Sequence, residues 1–98
     1  MAVIEDRREP EFAFMRTAIN EIIHERNFQM ARWGTDHDKA HTLQDWSVIL
    51  TVWLGKATSH APPYTDQRDA TKDIQAFRKR LVQLAAICVA AIEALDSK

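Results

Sequence analysis

Apolar residues recur at three- and four-residue steps through most of this chain, a spacing that predicts helices. Phe12, Met15, Ile19, Ile22, Ile23, Met30 and Trp33 form one series, predicting a first helix over residues 10–33 with a single apolar face. Pro10 suits the first turn, where its missing N–H costs nothing, and Glu11 favours the same end of the helix dipole. Gly34 follows where a helix C-cap prefers glycine. The polar stretch TDHDKAH, Thr35 to His41, reads as a connection. Thr42 and Asp45 then make a capping pair for a second helix over 43–59. That helix is apolar nearly all round, from Leu43 and Trp46 through Val48, Ile49, Leu50, Val52, Trp53 and Leu54, which predicts burial between other helices. Pro62-Pro63 ends it, and Asp66 or Asp69 is placed to cap a third helix over 68–96. There Ile74, Phe77, Leu81, Leu84, Cys88, Ala91 and Leu95 alternate regularly by three and four, with Val82, Ala86 and Val89 as a second row.

The expected fold is all-α: three main helices in one domain over residues 10–98, after a polar lead-in over 1–9. Two glycines in 98 residues, with a hydrophobic share of 46%, favour helices over a turn-rich β architecture. Three helices in one copy do not cover this much apolar surface, so a homodimer completing the bundle is expected.

Charge narrows the function classes. A formal net charge of -1 supplies no bulk attraction to nucleic acid or anionic membrane, so any phosphate-binding patch must be local. The longest apolar run, Leu84 to Ile92, is far short of the roughly 20 residues a membrane span needs. The first residues, MAVIEDRREP, lack the apolar stretch of a signal peptide, and a cytoplasmic protein is expected. The single cysteine, Cys88, excludes an internal disulfide and sits in LAAICVAAI, where a small apolar filler is expected.

Familiar chemistries find little support. His37 and His41, with Asp36 and Asp38 beside them, superficially suggest metal ligands, but a loop gives their spacing no helical meaning. Ser47 has no base near it in sequence, and no glycine-rich phosphate loop exists. Arg26 is more informative, because it falls on the apolar stripe of the first helix, with Gln29 one step round and Trp33 beyond. A guanidinium there must be paired, with Glu25 or Glu21 as the nearest acids, or must face a ligand. An aromatic face, an amide and a cation together suit a nucleobase and its phosphates. Arg80 and Gln83 lie one turn apart at the start of the third helix's apolar run, and Lys56 interrupts the second. No Asp or Glu occurs from Trp46 through Ala57, nor from Phe77 through Ala91.

The succession ERNFQMARWG, a histidine-containing loop, DWSVILTVWLGKA and FRKRLVQLAAICVAAIEALD resembles the all-α NTP pyrophosphohydrolases, in particular the small MazG-like proteins of phages and bacteria. The resemblance is one of order and spacing over residues 20–96. It implies that Leu50 to Ala57 matches an L-x-E-E-x-G-E-A motif, with Val52, Trp53 and Lys56 where three acids would hold magnesium. Arg80 and Gln83 match the acids of the family's third helix. Apolar and cationic side chains cannot hold magnesium, so the resemblance implies a non-catalytic relative without metal or other cofactor. Two functions follow as expectations. One is a dimeric protein-interaction module, its cleft filled by Val52 and Trp53. The other is a metal-independent binder of a nucleotide or other phosphate ligand, with Lys56 and Arg80 on the phosphates and Arg26, Gln29, Trp33, Trp53 and Gln83 around the rest.

Overall fold

The computed structural model describes residues 9–60 and 71–98. Helix α1 spans Glu9–Trp33, α2 Thr35–Lys39, α3 Leu43–Thr58 and α4 Thr71–Asp96, and no strand occurs among the described residues. The three long helices begin and end close to the positions expected from periodicity. The suggested caps at Asp66 and Asp69 and the lead-in before residue 9 lie outside the described residues. None of the helices is long and apolar enough to cross a membrane.

The boundary between α1 and α2 is set by Gly34. Its N–H donates to the Met30 carbonyl at 2.8 Å, closing α1, and its φ of 81° turns the chain through a region that side-chain-bearing residues avoid. The turn leads directly into α2, so the stretch expected as a loop is helical from Thr35 to Lys39. Asp36 and Asp38 sit in the first turn of this short helix, and His37 and Lys39 in its last turn, with the two acids and the lysine matching the helix dipole. The second boundary is the expected one: Thr42 Oγ1 accepts from the Asp45 N–H at 3.1 Å and the Asp45 carboxylate accepts from the Thr42 N–H at 2.8 Å, a complete capping box.

Helix α4 is the hub. It packs against α1 along one side and α3 along the other, and no Cα of α1 comes within 8 Å of one of α3. The result is a slab 45 × 39 × 20 Å. The short α2 spans one end, touching α1 and α4.

The core holds some of the expected residues, Trp46, Ala86 and Ala91, but few of the large ones. On α4 Ile87, Ala90, Ala91 and Ala94 pack around Trp46 of α3, and Ala86 is buried as well. Of the regular series on α4 only Ala91 is in the core: Ile74 is 57% exposed, Leu81 43% and Leu95 44%, against 0% for Ala86 of the second row. Small alanine side chains let α1 and α3 approach the α4 backbone closely from both sides, and that contact fixes α4's rotation. Cys88 is accordingly half-buried on the outer face, not a core filler. Helix α3 is not sandwiched either. Among the described residues its only long neighbour is α4, and Leu43, Val48, Val52 and Leu54 are all at least half exposed.

Candidate functional site

Because α1 and α3 meet α4 without meeting each other, a cleft remains between them, floored by Ile87 and Ala90 of α4 and closed at one end by α2. It holds a cavity of about 160 Å³. Arg26, Gln29 and Trp33 of α1 form one wall, and Trp46, Ile49 and Trp53 of α3 the other. All three tryptophans of the chain therefore line it.

At the closed end lies a charge cluster. Arg26 is 6% exposed, and its guanidinium donates from Nη2 to Asp38 Oδ2 at 3.1 Å and to Glu93 Oε2 at 3.3 Å. It also donates from Nε to Glu93 Oε1 at 3.4 Å. The partners expected for Arg26, Glu21 and Glu25, are engaged elsewhere. Glu21 is bound by Arg78 at 2.5 and 2.9 Å, and Glu25 accepts from Gln29 Nε2 at 3.1 Å. The reason is helical geometry: α2 and the end of α4 converge on the Arg26 face of α1, while Glu21 and Glu25 point to the flank that meets the start of α4. The Arg78 guanidinium, bonded to Glu21, holds that carboxyl below the usual carboxylate range.

Gln29 is buried and donates also to the Gln83 main-chain carbonyl at 3.3 Å, tying α1 to α4. The Gln83 side chain accepts from Arg80 Nη1 at 3.1 Å. Arg80 in turn lies over the Trp53 ring, 5.8 Å from its centroid, and Lys56 lies over the same ring at 4.2 Å. Arg26, Gln29, Trp33 and Trp53 thus line the cavity itself, whereas Lys56, Arg80 and Gln83 stand behind or beside the Trp53 wall. Trp53 lines the cavity and leaves it open, and Val52 is half exposed and not part of the lining, so neither closes the cleft as expected.

The closed end also gathers aromatic rings that a loop would not align. His37 and His41 rings meet edge to face at 4.7 Å, and His41 meets Trp46 in the same way at 4.9 Å. The i, i+4 spacing of the two histidines is the local signal of this contact. Glu93 also carried one, as the first acid after a long acid-free run. Among the described residues no three His, Cys, Asp or Glu side chains come together in a metal-binding group. The two nearest carboxylates, Asp38 and Glu93, are both bound to the guanidinium of Arg26. Trp46 adds a further polar group: its buried indole Nε1–H has no hydrogen-bond partner among the described residues.

No known protein family, curated protein or solved structure matches this chain. Its functional reading therefore rests on the cleft and on the surface around it.

Proposed function

We propose that the protein is a non-catalytic, MazG-like homodimeric interaction module whose cleft receives one flat side chain from a protein partner. The observation that carries this reading is the size and lining of the cavity. About 160 Å³ matches a hole that takes a single six-membered ring, on the order of 150 Å³ for benzene, and falls below the roughly 300 Å³ where small-molecule pockets begin. An aromatic anchor seated in an apolar pocket is the usual energetic centre of a protein interface. The guest's polar edge has complementary groups waiting: the Trp46 Nε1–H as donor, and Asp38 and Glu93 as acceptors. A tyrosine-like phenol satisfies both. One guanidinium against two carboxylates leaves the closed end formally anionic, which disfavours a phosphate there.

A nucleotide is the second reading, favoured by one observation: Lys56 and Arg80 both lie over the Trp53 ring, placing two cations beside the wall on which a base would stack. Under that reading the base enters the cleft and the phosphates remain outside, on these two side chains without metal.

Intrinsic fluorescence separates the two, because every tryptophan of the chain lines the cleft. With excitation at 295 nm, p-cresol is expected to change the emission saturably in the millimolar range, while deoxynucleotides without magnesium leave it unchanged. Saturation by a nucleotide but not by p-cresol would establish the second reading, with loss of the signal in Lys56→Glu. No response to either would remove the cleft as a binding site. Magnesium-dependent release of pyrophosphate from a nucleotide would overturn the non-catalytic assignment.

A further inference from the structure

The cleft is electrically polarised along its length. At the end closed by α2, the single guanidinium of Arg26 meets two carboxylates, Asp38 and Glu93. Trp53 stands about two helical turns beyond Trp46 on α3, away from that end, and two cations lie over its ring. Lys56 Nζ is 4.2 Å from the ring centroid and Arg80 Cζ 5.8 Å. Among the described residues neither cation has a carboxylate partner. Lys56 meets only the ring, and Arg80 adds one bond at 3.1 Å, to the neutral amide oxygen of Gln83. Arg78, by contrast, is answered by Glu21. The acid-free runs Trp46 to Ala57 and Phe77 to Ala91 explain the difference, because the helices that flank Trp53 carry no acid of their own there.

Two cations held against one ring repel each other, and a carboxylate placed between them removes that repulsion and accepts charge-assisted hydrogen bonds from both. Stacking on the indole also restrains the two side chains beforehand, so less rotamer freedom is lost when an anion arrives. The distances suit one short segment. About 15 Å of helix separates Trp46 from Lys56, and an extended peptide covers that in about four or five residues. A ring seated against Trp46 and carboxylates resting on Lys56 and Arg80 can therefore belong to the same stretch of a partner chain.

We propose that the partner of the cleft is an acidic protein segment, whose tyrosine-like ring enters the cavity while Asp or Glu residues a few positions away bind Lys56 and Arg80. The opposite charges at the two ends fix its direction. Asp38 and Glu93 repel the segment's acids from the closed end and accept the phenol hydroxyl there, and the acids come to rest beside Trp53. A neutral or basic segment leaves the two cations unanswered, so charge discriminates among partners that the aromatic pocket alone admits equally. The proposal rests on the cleft reading above and adds to it the chemistry of the partner around its anchor.

Short peptides titrated into the full chain at low salt, with tryptophan emission as the readout, test it. Three carry a central tyrosine flanked on each side by a pair of glutamates, glutamines or lysines, and a fourth has alanine between the glutamate pairs. The glutamate–tyrosine peptide is expected to bind about 10-fold or more tightly than the glutamine–tyrosine peptide, and the lysine–tyrosine peptide weakest of the three. That preference is expected to shrink to about twofold or less in about 0.5 M salt, and likewise in a Lys56→Gln, Arg80→Gln variant with unchanged helical circular dichroism. Equal affinity for the glutamate and glutamine peptides, or tighter binding of the lysine peptide, would overturn the proposal and leave the cleft reading intact. A preference that survives both substitutions would also overturn it, since the acids then bind elsewhere. Equal binding by the alanine peptide would overturn the cleft reading with it, because no ring is then needed. No response to any of the four would overturn both, and a response to a deoxynucleotide alone would assign the two cations to its phosphates instead.

Discussion

Arg26 shows how a residue's environment is decided by partners far away in sequence. Its charge is buried, and it is held by Asp38 from α2 and Glu93 from the end of α4. Replacing it by Met keeps the apolar stem and strands two carboxylates beside an apolar cavity. Removing one partner of a fully buried pair costs about 3–5 kcal/mol. Because Glu93 is half exposed and can turn to water, about 1–3 kcal/mol is expected for Arg26→Met. Urea denaturation reads this directly, and a loss below about 0.5 kcal/mol would show that the cluster contributes little. Sequence alone made Arg26 conspicuous, since a cation on an apolar stripe demands an explanation. Its partners were illegible because they depend on where α2 and α4 end up.

Two further residues carry a pH dependence. The Thr42 N–H and hydroxyl hold the Asp45 carboxyl below its usual range, and Arg78 does the same for Glu21. Both groups titrate lower in the folded chain than in the unfolded one. The stabilisation they provide is therefore fully present above the ordinary carboxylate range near 4 and is lost as pH falls below it. The melting temperature is expected to be flat from about pH 7 to 5 and to fall below pH 4. Asp45→Asn is expected to flatten that acid slope. A wild-type profile independent of pH down to 3 would contradict the assignment.

At the scale of elements, the helix ends were legible and the short helix was not. Thr42-x-x-Asp45 is a local motif whose bonds close within four residues, and it forms as read. Thr42→Ala is expected to cost about 1 kcal/mol by loss of the cap. Helix α2 escaped notice because five residues carry no periodicity, and its polar composition is that of a turn. What makes it a helix is the Gly34 turn together with the anchoring of Asp38 on Arg26. Gly34→Ala meets nothing within 4 Å, so its expected cost of about 1 kcal/mol arises from the positive φ alone. The alanine face of α4 gives the opposite case. Ala86 is fully buried, and Ala86→Leu is expected to cost about 1–3 kcal/mol by overpacking, although leucine is the better core residue by hydrophobicity. A neutral or stabilising result would place α4's contact face elsewhere.

At the scale of the whole molecule, helices α1 and α3 are held on the two sides of α4, leaving a cleft between them, while Ile74, Leu81, Ile92 and Leu95 of α4 stay exposed. The homodimer proposed above would make stability depend on mass action. Under that proposal the melting temperature is expected to rise with protein concentration. Differential scanning calorimetry over a hundredfold range of concentration checks this, and a constant melting temperature would contradict the dimer.

The sequence by itself determined that the chain is helical and where its long helices start and stop. These properties depend on periodicity, caps and composition, all of which act within a few residues. The tertiary structure decided which side of each helix faces inward. Two stripes compete on α4, one of alanines and one of large aliphatics, and periodicity ranks the larger as core. Close approach of two helices to a third rewards the smaller, and much of the larger stays exposed. The cleft has the same origin. Arg26, Gln29, Trp33 and Trp53 were each visible as unusual, but an open cavity exists among them only because α1 and α3 meet α4 without meeting one another.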